Sequence, residues 1–494
     1  MRVGTAGFRR AALFYRYLAQ YRYAEALAQR SHTQPCSGWE LWAAYRLGLY
    51  TTVAHANWDG QHREGGMAQA VSLAACGNAD AAQTVVKRLV TKHGRGKYLH
   101  LLADALAPYT PELALSLLQP SDTHTPLGLA LLLRTGAHDA AAAGVQAAMA
   151  AGHMRLKPEL WLLASNALGG EPSQQLQRIN AYLQAFGLPP VALRHPALRP
   201  SAGNLQGDGM LPVVNGPLVS VIMTAYNAAE RIGPALDGLM AQTWRNLEVL
   251  VVDDASTDDT QACVQRIASA DARVRYMRLP CNVGTYVAKT VGLDLARGEF
   301  VTCHDSDDWS HPQRIERQTL PLIENSRLVA TTSKWVRISD DGTFYARPVH
   351  PIARLNPASP LFRRQKVLKT TGVWDAVRTG ADSEFHTRLR LVFGKRAVFN
   401  LMQPLAFGAH HPSSLMNAAH TGYNTEGMSP NRLAYWEAWT QWQLTCLRHG
   451  TPMVMPRMGE PRVYDAPNAL QVPHAHIERC SAFAAAYKAD SERG

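Results

Sequence analysis

"LVSVIMTAYN", Leu218 to Asn227, and "LEVLVVDDAS", Leu247 to Ser256, decide the fold. Each is a short apolar, β-branched run that ends abruptly in polar residues. Between them, Ile232, Ala235, Leu236, Leu239 and Met240 recur at the spacing of one helix face. "TDDTQACVQRIA" then reads as a second helix, with Thr257 or Asp258 to cap it. "VRYMRL" reads as a third strand and "FVTCHD", Phe300 to Asp305, as a later one. Continuously apolar strands alternating with helices predict an α/β domain with a mostly parallel, Rossmann-like sheet covered on both faces. Ligands of such sheets bind beyond the carboxyl ends of the strands. The polar residues gather there: Thr224 to Asn227, Asp253 with Asp254, and Asp305, Asp307 and Asp308.

Carboxylates gathered at one edge repel each other unless a cation intervenes. Hard divalent ions take one or two carboxylates together with substrate phosphates. The run "HDSDDW" therefore reads in two ways, as a metal–diphosphate site or as a solvated turn whose Asp308 or Ser310 caps the next helix.

Outside this segment the chain changes character. Residues 1–187 are rich in Ala and Leu and nearly free of β-branched runs, which predicts an all-α domain. Asp80, Glu112 and Asp139 each follow a turn and open an Ala-rich stretch, at a spacing near that of helix–turn–helix repeats. The region is therefore expected to be repeat-like, similar to a degenerate tetratricopeptide array. Residues 188–217, dense in Pro and Gly, read as a linker. The sheet domain is expected over 218–427, and 428–494 as a helical or irregular extension. In that extension Tyr435, Trp439 and Trp442 lie on one helix face and are expected to pack on the sheet domain.

Composition narrows the function. The 494 residues are 46% hydrophobic and 18% charged, an ordinary globular balance, which excludes disorder over most of the length. The net charge of +11 favours anionic partners. No dense basic block with interleaved aromatics occurs, so nucleic acid is not expected among them. Seven scattered cysteines without a C-x-x-C pair argue against a disulfide framework and suit a reducing cytoplasm. No apolar run approaches the roughly 20 residues that span a bilayer. The N-terminal stretch, with Phe8, Leu13, Phe14 and Leu18 among Arg9, Arg10 and Arg16, reads as a basic amphipathic helix. It either packs on the next helix or lies peripherally at the inner face of a membrane.

Together the strand ends resemble family 2 glycosyltransferases of the GT-A fold. "VSVIMTAYN" is similar to that family's V-S-V-I-x-P-x-Y-N, with Thr224 near the usual proline. "QTWRNLEVLVVDDASTDDT" is similar to its Q-T-x-x-x-x-E-x-I-V-V-D-D-G-S-x-D-x-T, with Ala255 in place of glycine. "NVGTYVAKTVGLDLARGEF" carries Lys289 for the usual arginine and Thr290 for the asparagine, and "HDSDDWSHPQRI" is similar to the D-x-D-D segment. "LFRRQ", "TGVWDAVRTGADSEFHTRLRL" and "FGAHHPSSLM" resemble the acceptor-side block and the late histidine segment, without its usual arginine.

The resemblance implies an inverting transfer from a nucleotide-diphosphate sugar, a UDP-sugar favoured, to a glycan or glycolipid acceptor in surface polysaccharide biosynthesis. It implies Mn²⁺ or Mg²⁺ as cofactor. Thr224, Tyr226, Asn227, Asp253, Asp254, Lys289, Asp305 and Asp307 would meet the nucleotide sugar. Asp307, Asp308 and either His410 or His411 would ligate the metal, with Asp308 the first choice. Asp382 would be the base and Glu384 the reserve. Trp335 and Trp374 are further candidates to line an acceptor pocket. The Q-x-x-R-W signature of processive synthases is absent, which favours addition of one or a few sugars. The alternative is a helical-repeat scaffold that binds a protein partner and carries an inactive transferase-like domain.

Overall fold

The computed structural model describes residues 3–31, 34–58, 60–209, 212–356, 360–412, 414, 421–424 and 427–493. It divides into two compact units. One comprises Met1–Thr123, Ser413–Met453 and Arg462–Leu470; the other comprises His124–Pro412, Val454–Pro461 and Gln471–Gly494. The helical stretch expected as one domain over 1–187 is thus split between Thr123 and His124.

The first unit is helical, from Val3–Ala19 to Pro111–Leu117, and it includes the late helix Pro430–His449. The aromatic face of that helix was expected to meet the sheet domain. The helix instead packs inside the helical unit, on the helices Tyr23–Ala28 and Tyr50–Ala54, and Tyr435 and Trp442 of that face meet Tyr464. Trp436 Nε1 donates to the Leu47 carbonyl at 2.8 Å. The Glu437 carboxylate accepts from the Thr51 amide at 2.5 Å and so caps the helix that starts at Tyr50. Gly48, at φ +78°, leaves room for the Trp436 indole where a Cβ would collide. At the N-terminus Phe14 is fully buried beneath the Arg30 guanidinium, so the unit itself covers part of that helix's apolar face.

The second unit opens with the helices Pro126–Arg134, His138–Ala150, His153–Leu156, Leu160–Leu168 and Pro172–Gln184. Residues 188–209 of the segment expected to be a linker carry regular structure. Its strands β1 (Val191–Leu193) and β2 (Leu205–Gly207) pair antiparallel. Asn204 accounts for the order. Its buried side chain accepts from the His195 amide and donates to the carbonyls of His195, Leu198 and Arg199. Proline and glycine density marks a turn-rich path, and one buried amide can hold such a path rigid.

The main sheet follows. Its strands are β3 (Val219–Ala225), β4 (Leu247–Asp253), β5 (Val274–Arg278), β6 (Phe300–Asp305), β7 (Trp309–Ser310), β8 (Ala330–Ser339), β9 (Phe344–Tyr345), β10 (Arg354–Leu355), β11 (Leu361–Arg363) and β12 (Val398–His410). The order is β5-β4-β3-β6-β11-β8-β12-β7, with β9 and β10 also on β8. It is parallel through β5, β4, β3 and β6, as expected, and mixed beyond. This is an α/β architecture with one parallel half and one mixed half. The core between sheet and helices is built from Val219, Val221, Met223, Leu236, Val249, Phe300 and Ile315, all buried. Gly292 allows the helix Thr285–Leu295 to lie against β3, because a Cβ there would meet Ile222 at 2.7 Å.

The chain runs outward in both directions from β3: β4 and β5 to one side, β6 to the other. That reversal of strand order makes the carboxyl end of β3 the place where a ligand fits. Register sets Thr224 beside Asp305 on one side and Ala225 beside Asp253 on the other.

Candidate active site

The β3 and β4 ends form one half of the site. Thr224 Oγ1 lies 2.8 Å from Thr285 Oγ1. Tyr226 is 54% exposed, a free aromatic face beside the strand ends. Asn227 and Ala255 both adopt left-handed backbone, at φ +49° and +62°. The second explains why the related pattern has glycine there. The Asn227 side chain accepts from the Thr257 amide at 2.8 Å and its own amide donates to Ser256 Oγ, so it ties the two turns together.

Asp253 and Asp254 part ways. Asp253 is fully buried, accepting from the Ser256 amide at 2.7 Å and from the Tyr276 hydroxyl at 2.6 Å. Each oxygen accepts one bond from within the fold, and Asp253 thereby holds the turn. The Asp254 carboxylate accepts from the amides of Val283 and Gly284, each at 2.7 Å. Burial outweighs those amides and pushes its pKa up to about 6. It fastens the Asn282–Gly284 loop at the start of the helix that carries Lys289.

The acidic turn after β6 forms the second part. Asp305 lies 3.8 Å from Lys289 Nζ. Asp307 Oδ2 lies 2.8 Å from His411 Nε2. Asp308 is buried and its Oδ1 accepts from the Ala409 amide at 2.9 Å, a contact made because β7 doubles back to pair with β12. Burial, with Asp307 and Asp305 adding to it, drives the Asp308 carboxyl well above its ordinary range. The two histidines are distinct. His411 reaches Asp307, while the His410 ring stacks face to face on Tyr345 at 3.8 Å. Burial brings the His410 pKa down to about 4, so that ring is neutral. Ser413, Leu415 and Met416 of the late histidine segment lie outside the described residues.

The third part is the start of the helix Ala381–Phe393. Asp382 is buried there. Its Oδ2 accepts from the Tyr286 hydroxyl at 3.0 Å and stands 3.5 Å from Lys289 Nζ, and its Oδ1 has no hydrogen-bond partner. Burial raises the Asp382 carboxyl above its usual range against the pull of Lys289. Burial alone would push the Lys289 ammonium down, but Asp382 and Asp305 outweigh it and hold the ammonium charged. Glu384, read from the sequence as the reserve base, is corrected. It is fully buried and grips Arg388 with both oxygens, each at 2.8 Å. A carboxylate committed in that way does not take a proton from a substrate. Trp374 packs between Phe362 and Phe385 and is core rather than pocket lining. Trp335 is half-buried against Gly408.

Two residues were missed from sequence. Tyr286 lies one helical turn before Lys289, and that spacing was legible in "TYVAK". Arg314 lies fully buried under the acidic turn and donates to Thr302, Ser310, Gln318 and the Cys303 carbonyl. Burial lowers its pKa to about 10, and it remains a fixed positive charge beneath the aspartates. Nothing in its local sequence distinguishes it from a surface arginine.

At this edge the parallel strands end in a turn of three carboxylates, with a lysine and a buried aspartate across from them. Residues 220–381 match the family Glycosyl transferase family 2, and this stretch is a family 2 glycosyl transferase domain. The succinoglycan biosynthesis protein ExoO of Rhizobium meliloti is 41% identical over 157 residues, 30% of this chain and 44% of that protein. The putative teichuronic acid biosynthesis glycosyltransferase TuaG of Bacillus subtilis is 33% identical over 134 residues, 27% of this chain and 53% of that protein. The chain spans about half the length of such curated relatives, or less. A crystal structure of S. aureus TarS 1–349 in complex with UDP-GlcNAc shares 19% identity at a TM-score of 0.35, covering 47% of this chain and 72% of that one. A likeness at that score says nothing of donor or acceptor here.

Proposed function

We propose that the sheet domain is a divalent-metal-dependent inverting glycosyltransferase. It moves a sugar from a nucleotide-diphosphate sugar, a UDP-sugar by family resemblance, to a hydroxyl of a glycan or glycolipid in surface polysaccharide biosynthesis. The observation that carries this reading is Asp382. It is a buried carboxyl with one oxygen unpartnered, mounted on a rigid helix start and facing Lys289 and Asp305 across the strand ends. The biosynthetic names of ExoO and TuaG support the polysaccharide context.

Each residue has a task in this scheme. Tyr226 offers its exposed ring to the base by stacking. Asp254 keeps the loop before the Lys289 helix in place. Lys289, fixed between two carboxylates, sets a positive charge next to the donor sugar. Asp382 accepts the proton of the attacking hydroxyl at its unpartnered Oδ1 as the sugar–oxygen bond forms and the diphosphate departs.

The donor set suits a hard cation. No group of three or more His, Cys, Asp or Glu side chains among the described residues is arranged to hold an ion. Such ions nevertheless commonly take only one or two protein carboxylates beside phosphate oxygens. Asp307 and His411 would hold it, and the crowded Asp308 would be eased into its charged form. Mn²⁺ or Mg²⁺ bound there supplies neutralisation of the charge on the departing diphosphate. His410, closed off by Tyr345, is not assigned to the ion. An inactive scaffold is disfavoured because Asp382, Lys289 and the acidic turn are assembled at one edge.

The test is a screen of nucleotide sugars with Mn²⁺ or Mg²⁺, scoring release of nucleoside diphosphate. Turnover with one donor class, abolished by EDTA and restored by added metal, is the expected result. Absence of turnover and of metal-linked nucleotide binding across the screen would sink the reading. Within that assay, His411→Ala is expected to raise the Mn²⁺ concentration for half-maximal rate about 10–100-fold. His410→Ala should change it far less, and the reverse order would exchange their roles.

No helix among the described residues is long and apolar enough to cross a membrane. A place in the cytoplasm, with peripheral attachment at the inner membrane face through the basic N-terminal helix, remains part of this proposal, as does a protein partner for the helical unit. Co-sedimentation with anionic vesicles checks the first.

A further inference from the structure

Arg231 and Asp340 meet above the strand ends. Arg231 stands between β3 and the helix Ile232–Met240, and Asp340 in the turn between β8 and β9. Their contact is a two-pronged ion pair: Nη1 to Oδ1 at 3.1 Å and Nη2 to Oδ2 at 2.7 Å. The pair joins the β3 half of the sheet, where the base would lie, to the β8 half, on which His410 and His411 also border. It also lies within electrostatic reach of the acidic turn. Asp340 first and Asp307 further off raise the Arg231 pKa, while Arg231 first and then His411 lower that of Asp340.

Three neighbouring cations are committed. Lys289 is buried between Asp305 and Asp382, Arg314 is fully buried, and Arg337 is buried with a bond to the Ala409 carbonyl. Arg231 differs because its partner is 59% exposed, and a solvent-facing ion pair is weak and readily exchanged. A planar guanidinium that already grips a carboxylate with both prongs can grip a phosphate in the same way.

We propose that Arg231 is a binding residue for the donor's diphosphate, held in store by Asp340, and that the ion pair exchanges for phosphate when the donor enters. The inference rests on the nucleotide-sugar reading above and adds to it a residue outside the family's motif positions. Asp340 acts as a competitor for the arginine in the empty site. Opening of the pair frees the β8–β9 turn from the β3 side, so donor entry and release of that turn are coupled.

The experiment is titration calorimetry of the full chain with UDP and GDP in the presence of Mn²⁺, and with uridine and guanosine as phosphate-free probes. Arg231→Ala is expected to weaken diphosphate binding about tenfold or more and to leave nucleoside binding unchanged. Asp340→Asn is expected to tighten diphosphate binding about 2–5-fold, and the double variant to behave as Arg231→Ala alone. Diphosphate affinity unchanged in Arg231→Ala, or lowered in Asp340→Asn, overturns the inference. So does a loss of nucleoside binding equal to the loss of diphosphate binding. Wild-type protein that binds neither nucleoside diphosphate fails the donor reading itself, a result distinct from any of these. Both side chains are partly exposed, and matching thermal midpoints for the variants exclude misfolding.

Discussion

Asp382→Asn is expected to lower turnover about 10²–10⁴-fold with little change in donor affinity. The substitution keeps the shape of the side chain and an oxygen to accept from Tyr286, which now lies 3.0 Å away. It removes the capacity to take a proton at the atom that has no other partner. It also withdraws one of the two carboxylates beside Lys289, and Asp305 remains to hold the ammonium. The loss should therefore fall on kcat. Because burial raises the Asp382 carboxyl, the acid limb of the wild-type kcat–pH profile should lie above the ordinary carboxylate range. Activity requires the ionised form, so it falls as pH drops through that raised value, and the limb should vanish in the residual activity of Asp382→Asn. Measuring kcat, KM and the pH profile on protein of unchanged thermal midpoint decides the matter. Unaltered kcat would remove Asp382 as base.

The second large effect is on stability. Glu384→Gln is expected to destabilise the sheet-bearing unit by about 3–5 kcal/mol and lower its thermal midpoint on the order of 10 °C. The pair it breaks is wholly buried, with both partners excluded from water. Arg388 also donates to the carbonyls of Thr371, Gly372 and Val373, which hold the turn after the helix Arg364–Thr370. Glutamine offers one acceptor oxygen and no charge, so a guanidinium is left uncompensated in the interior. A buried cation without its anion is far costlier than the pair was favourable. Differential scanning calorimetry gives the midpoint, and activity per folded molecule separates this effect from a catalytic one. A midpoint within a degree or two of wild type, with kcat collapsed, would contradict the structural role and return Glu384 to the catalytic candidates.

These two carboxylates lie two residues apart in one family-like block, which made both legible as candidates, Asp382 as the base and Glu384 as the reserve. What separates them is tertiary. One faces Lys289 and Tyr286 on a different helix, and the other faces Arg388 one turn along its own. The i,i+4 spacing of Glu384 and Arg388 was there to be read, but spacing alone does not tell a buried pair from a solvated one. The same limit applies to the histidines. "HHP" offers two rings, and only the packing of Tyr345 against β12 separates them. The late helix shows Tyr435, Trp439 and Trp442 on one face in the sequence, yet which surface covers them is not written there. Residues 188–209 show the same limit: a run of Pro and Gly carries no periodicity, and its path depends on where one asparagine side chain ends up.

Alone, the amino-acid sequence was sufficient for the parallel core from β3 to β6 and for the gathering of acids at its carboxyl edge. Apolar strand interiors and polar strand ends are local patterns, and strand–helix alternation with right-handed crossovers leaves few ways to assemble them. Tertiary structure alone decided which of those acids is available. Asp253 closes a turn, Asp308 meets a β12 amide, Asp307 meets His411, and Asp382 meets Tyr286 and Lys289. Most of those partners come from distant stretches of the chain. A carboxylate's burial, charge state and direction are set by the groups around it in space, which no short window of sequence contains.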